Sequence, residues 1–131
     1  HYPLRRQRKM CIRDRNMVLC PVRINKLRFR YIKRFLKDEL ELNLLDRTAD
    51  VHDKQMAYVQ ALTHFIGRAV NEMDIPDIEQ KTPAYQYLLD IKRNLGKDSL
   101  DLFLTIEREN PYSEEVLGGF MTELKRLKDL I

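Results

Sequence analysis

The stretch TADVHDKQMAYVQALTHFIGRAVNEM, residues 48–73, decides the fold. Val51, Gln55, Tyr58, Val59, Leu62, Phe65, Ile66, Ala69, Val70 and Met73 recur at steps of three and four, the period of an α-helix. Thr48 offers a capping hydroxyl, and Asp50 and Asp53 sit where the helix dipole is positive. The spacing predicts one helix of about six to seven turns. On a helical wheel the apolar stripe centres on Leu62, Phe65 and Ala69, and the opposite face carries Ala57, Gln60, Ala61, His64, Gly67, Arg68 and Asn71. A solvated back would be dense in Lys and Glu. This one is small or uncharged, so the helix is predicted to be covered on both sides, with Gln60, His64 and Asn71 facing something polar.

Three more helices follow by their punctuation. Thr82-Pro83 caps and opens one carrying Tyr85, Leu88, Leu89 and Ile91, and Gly96 ends it. Asp98 or Ser99 caps the next, with Leu100, Phe103, Leu104 and Ile106, and Asn110-Pro111 breaks it. Ser113 is predicted to cap the last, with Val116, Leu117, Phe120, Met121, Leu124, Leu127 and Ile131. Upstream, Met17–Val22 reads as a short buried strand, residues 24–38 as an amphipathic helix, and Leu40, Leu42 and Leu44 alternate as in a strand. Strand, helix and strand in about 30 residues make a βαβ unit. Residues 16–47 therefore read as the end of an α/β domain, and 48–131 as an all-helical domain.

The chain has 131 residues, 44% hydrophobic and 34% charged, with two cysteines and no tryptophan. That excludes a collagen, a disordered tail and a disulfide scaffold, and places the chain in a reducing cytoplasm by default. The longest run without charge, Gln55–Gly67, is too short to span a bilayer. No apolar run follows the basic N-terminus, so no signal peptide is read there.

The formal net charge of +4 is unevenly placed. In residues 1–15, Arg5, Arg6, Arg8, Lys9, Arg13 and Arg15 face Asp14 alone, so the remainder is close to neutral. The tail HYPLRRQRKMCIRDR has no helical or strand period, and it resembles adaptor DNA read as coding sequence at the end of a conceptual translation. The competing reading is a basic arm for nucleic acid or acidic lipid. A second basic run, Arg23 to Arg34, is interleaved with Leu27, Tyr31 and Ile32 at helical spacing. It reads as an amphipathic helix with a solvated basic face rather than a nucleic-acid patch.

His52 and His64 lie twelve residues apart, about 18 Å of helix rise and about 120° of rotation. They cannot chelate one ion together, and no other Cys/His cluster supports a metal site. On spacing alone, His64 reads as a satisfied interior histidine. Arg93 shares a helix side with Tyr85 and Leu89, and reads as a local pair with Asp90. The functional alternative is a guanidinium presented to a carboxylate.

Residues 52–65, HDKQMAYVQALTHF, resemble the helix that opens the C-terminal domain of the prephenate dehydrogenases, the TyrA family of tyrosine biosynthesis. The shared pattern is His-Asp, a Met-x-x-Val-Gln run, and a second histidine twelve residues after the first. VLCPVR, residues 18–23, and the helix and strand after it look like the last βαβ of that family's Rossmann-type nucleotide-binding domain. KRNLGKDSLDLFLTIERENP, residues 92–111, resembles its helix pair, in which an arginine precedes an aspartate by five residues, here Arg93 and Asp98.

The resemblance implies a mainly α fold, a helical dimerisation domain behind a βαβ remnant. It implies oxidative decarboxylation of prephenate to 4-hydroxyphenylpyruvate, with hydride passing to NAD or NADP. His64, Arg93 and His52 match substrate-pocket positions. Arg93 matches the arginine that binds a carboxylate of prephenate. A homodimer is implied, with no nucleic-acid or membrane partner. No catalytic residue of the family falls in this chain, and no G-x-G-x-x-G occurs in it. The chain is therefore expected to be the C-terminal part of the enzyme and inactive alone. The different-class alternative is a non-catalytic helical dimerisation or binding module.

Overall fold

The computed structural model describes residues 16–131. The basic tail at 1–15, with Cys11 and the adaptor reading placed on it, lies outside the described residues. The chain divides into two compact units, the first ending at His52 and the second running from Asp53 to Ile131.

In the first unit, β1 (Asn16–Leu19) leads to α1 (Lys26–Arg34), which runs on as a wider π-helical turn over Phe35–Glu39 and then to β2 (Asn43–Asp46). The strands pair in parallel, from Asn16 opposite Asn43 to Leu19 opposite Asp46. The Asn25 side chain caps α1 by accepting from the Leu27 N–H at 2.8 Å. Lys33 of α1 reaches the Asp46 carboxylate of β2 and fastens helix to sheet.

Two boundaries differ from the sequence reading. β1 stops at Leu19, before Pro21, which has no N–H to give a ladder. β2 begins at Asn43 rather than Leu40. Glu41 adopts a left-handed φ of 52°, and the Leu42 N–H donates to the Leu36 carbonyl at 3.2 Å, so Leu40–Leu42 form the helix exit. No described residue of this unit is buried. Leu27 and Tyr31 are 68% and 81% exposed, because one helix on two strands cannot enclose a core.

The expected long helix forms as three consecutive segments: α2 (Ala49–Met56), a π-helical segment Ala57–Leu62, and α3 (Thr63–Glu72). The division between units falls inside α2. Thr48 Oγ1 accepts from the Val51 N–H at 3.3 Å. Asp74, at φ 49°, turns the chain out after α3. Then come α4 (Pro83–Leu95), α5 (Leu100–Glu109) and α6 (Ser113–Lys128). Thr82 caps α4 and Ser99 caps α5, each through its hydroxyl.

Ser113 does not cap α6. It is the first helical residue, fully buried, and Tyr112 stands at the N-cap without a side-chain bond. The turn is made instead by Asn110, whose carbonyl and side-chain oxygens accept from the N–H groups of Ser113 and Tyr112. The Asn110 amide donates to the Asp53 carbonyl at 2.8 Å, closing the α5–α6 corner onto the long helix.

Among the described residues only Ala57, Ala61, Gly67 and Ser113 are buried. Three of the four belong to the small, uncharged back of the long helix. α6 packs on the π-helical segment, α4 on α3, and α5 on both. The apolar stripe, predicted to be covered like the back, is half-buried at Leu62, Phe65, Ile66 and Val70 but bare at its edges: Tyr58 is 62%, Val59 65% and Met73 74% exposed. The reason is steric. Small side chains let neighbouring helices close to backbone distance, so the tightest packing forms on that face. Phe65 still stacks on Phe103, with ring centroids 6.5 Å apart.

Two glycines set the α3–α4 distance. A Cβ on Gly67 would lie 2.8 Å from Leu95 Cδ1, and one on Gly96 would lie 2.5 Å from both Asn71 Oδ1 and the Lys92 carbonyl oxygen. Gly96 has an ordinary φ of −66°, so closeness rather than backbone freedom demands glycine there. By contrast, nothing stands within 4 Å of a Cβ placed on Gly118 or Gly119 in α6. Lys92 adds a latch, donating to Asp74 Oδ1 at 2.6 Å and to the Ile75 carbonyl at 3.0 Å.

Gly96→Ala is therefore expected to destabilise the chain by about 1–3 kcal/mol, the cost of overpacking. Gly118→Ala, in open space, is expected to be neutral or stabilising. Urea midpoints of the two variants check the contrast.

Candidate functional site

α3 carries His64 on the packed back of the long helix, and the α4–α5 connection brings Asp98 to it. The local sequence explains why Asp98 is free for this. Gly96 closes α4, and Ser99 takes the capping task by accepting from the Leu102 N–H at 3.1 Å. Asp98 has its backbone fixed by its N–H bond to the Leu95 carbonyl. Its carboxylate is not needed as a cap.

His64 Nδ1 lies 3.1 Å from Asp98 Oδ2, and the two side chains are 17% and 27% exposed. An ionised carboxylate only accepts, so a neutral ring bonded to Asp98 would carry its proton on Nδ1 and leave Nε2 as an acceptor. An imidazole oriented in this way by a carboxylate can bond a substrate hydroxyl or receive its proton.

Arg93 is placed differently. Its Nη2 donates to Asp90 Oδ1 at 2.8 Å on its own helix, and its side chain is 68% exposed. Gln86 Nε2 donates to the same oxygen at 3.0 Å. The structure thus unites His64 with Asp98 and holds Arg93 on Asp90, the local pair that spacing predicted. Such an exposed pair is worth well under ~1 kcal/mol. His52 belongs to the first unit, where its N–H donates to the Thr48 carbonyl at 2.9 Å.

Two residues escaped the sequence reading. Asp98 was visible only as a cap candidate and as the aspartate after Arg93. Its partnership with His64 depends on the antiparallel return of α4 along α3. Glu107 gave no signal at all. Both its carboxylate oxygens are buried without a hydrogen-bond partner, and burial raises its pKa above the ordinary glutamate value.

The chain's glycines do not fit a dinucleotide. Gly67 and Gly96 are closed by Leu95 and Asn71, and Gly118 and Gly119 lie within a helix. None opens a phosphate-binding turn between strand and helix. Among the described residues, no group of three or more His, Cys, Asp or Glu side chains is placed to hold a metal ion. No described helix is long and apolar enough to cross a membrane.

A family model for the TYRAAT1-like, C-terminal domain matches residues 69–131. Arogenate dehydrogenase 1, chloroplastic, from Arabidopsis thaliana is 30% identical over 85 residues, covering 65% of this chain and 13% of that protein. Arogenate dehydrogenase 2, chloroplastic, from the same plant is 30% identical over 74 residues, covering 56% of this chain and 21% of that protein. The chain thus spans about a fifth or less of the length of these curated relatives.

The buried Glu107 carboxyl makes stability depend on pH. Its folded pKa is raised, so its contribution is fully present below the unfolded value and is lost as pH rises through the folded one. Glu107→Gln, which never ionises, is expected to be more stable than the parent chain near neutral pH. That gain shrinks to nothing as pH falls below about 4. Urea melts of both chains across this range measure it.

Proposed function

We propose that this chain, the C-terminal part of a TyrA-type dehydrogenase, supplies substrate-pocket side chains and a subunit interface to an oxidoreductase of aromatic amino acid biosynthesis. The reaction is oxidative decarboxylation of a cyclohexadienyl acid, prephenate or its amino counterpart arogenate. TyrA-type enzymes generally use NAD or NADP, and the chain's own residues offer that cofactor no cradle, so their contribution lies in holding the substrate. The observation that carries the reading is the His64–Asp98 pair at 3.1 Å, formed within the stretch that resembles the family.

The division of labour follows from chemistry. The substrate is anionic and carries a ring hydroxyl. Asp98 fixes the His64 tautomer, leaving a ring nitrogen to bond that hydroxyl. Arg93, on releasing Asp90, meets a substrate carboxylate with two parallel N–H donors. Together they orient the ring acid.

The test restores what the chain does not carry. Fused behind the nucleotide-binding half of a TyrA-type enzyme, Arg93→Ala is expected to lose about 1.5–3 kcal/mol of kcat/KM, mainly through KM. His64→Asn is expected to lower kcat. Unchanged kinetics in both, with folding intact, would leave the chain as a helical packing module without a part in the chemistry.

The bare stripe of Tyr58, Val59 and Met73 fits a homodimer in which a second copy covers it. Val59→Asp is expected to shift the chain from dimer to monomer in light scattering, with its helical content kept. A parent chain that is monomeric at high concentration would remove the dimer from this proposal.

A further inference from the structure

The π-helical segment Ala57–Leu62 ends two residues before His64, whose Nδ1 lies 3.1 Å from Asp98 Oδ2. An α-helix advances about 100° per residue, so a turn that holds one extra residue re-aims every side chain beyond it by that angle. Segments of this kind are costly and tend to sit at functional sites. Something must keep this one open.

Thr63 Oγ1 donates to the Tyr58 carbonyl at 3.3 Å, five residues back. In an ordinary helix a threonine hydroxyl back-bonds to the carbonyl three or four residues earlier. A five-residue reach matches the i→i−5 spacing of the widened turn. The bond is therefore made in the π-helical geometry and is lost if the segment relaxes to α. Ala57 and Ala61, both fully buried, let α6 press against the same turn.

We propose that Thr63 is a positioning residue: its hydroxyl holds the widened turn open and so aims the His64 imidazole at Asp98. This rests on the reading of His64 as a pocket residue for its functional meaning, while its geometry stands without any substrate. Thr63 acts through the helix phase and does not itself touch the reacting groups.

Long-range nitrogen–proton correlation NMR of the full chain, at a pH where the imidazole is neutral, reads the His64 tautomer directly. The parent chain is expected to show the Nδ1–H form held by Asp98. Thr63→Val, which keeps shape and removes the hydroxyl, is expected to cut the ratio of Nδ1–H to Nε2–H about fivefold, the equivalent of one lost hydrogen bond. Thr63→Ser is expected to restore it.

A merely structural role would lower stability and leave that ratio unmoved. A folded Thr63→Val chain with the parent's tautomer ratio overturns the proposal. If the valine variant does not fold, Thr63→Ala is read in the same way. A parent chain without the Nδ1–H form overturns the His64–Asp98 pair itself, and the proposed function with it, which separates that failure from failure of Thr63 alone.

Discussion

Close approach of helix backbones at small side chains is the constraint on which the helical unit depends. Ala57 and Ala61 admit α6, and Gly67 admits α4, whose Leu95 occupies the place of the missing Cβ. A larger residue at any of these points would push the helices apart by a side chain's width. Asp98 would then move off His64, since both are carried by the helices concerned. The fold therefore relies less on swallowing large apolar groups than on bringing main chains together, and it leaves much apolar surface outside.

The polar chemistry is layered on that packing. His64 and Asp98 are half-shielded, which strengthens their attraction relative to pairs in open water. Arg93 and Asp90 are more exposed, and their bond is easily exchanged. One pair thus fixes orientation while the other stays available. The Lys92 latch keeps the Asp74–Ile75 corner against α4, so the segment between α3 and α4 is anchored at its start.

The elements were legible because their signals are local. Thr48, Thr82 and Ser99 cap where the sequence places them, and Asn110-Pro111 ends α5. The unusual back of the long helix was readable too, because small uncharged residues stand out where Lys and Glu belong. Other features were not readable, for physical reasons. Periodicity names an apolar stripe but not its partner, so it predicted cover on both sides of the long helix without showing that the tightest contacts lie opposite the Leu62–Ala69 stripe. A β-like alternation at Leu40, Leu42 and Leu44 was shared between a helix exit and a strand. Ser113 looked like a cap because serine usually caps, but the turn into α6 is made by Asn110, with Tyr112 at the N-cap. A π-helical segment leaves no mark in composition, so the register of His64 depended on a turn invisible to spacing. Glu107 was hidden because burial of a charged group contradicts its usual place.

The adjacent glycines of α6 have a consequence for how the chain melts. Each interior glycine costs a helix about 1 kcal/mol relative to alanine, and neither Gly118 nor Gly119 recovers anything by contact. Just beyond them, Thr122 bonds back to the Gly118 carbonyl at 2.9 Å, an arrangement that bends helices. The first turn of α6, anchored at the buried Ser113, and the turns from Phe120 onward are thus joined by the softest backbone in the helix. Heat or denaturant loosens the distal arm first, and amide protons there trade with solvent while the Ser113 end stays locked.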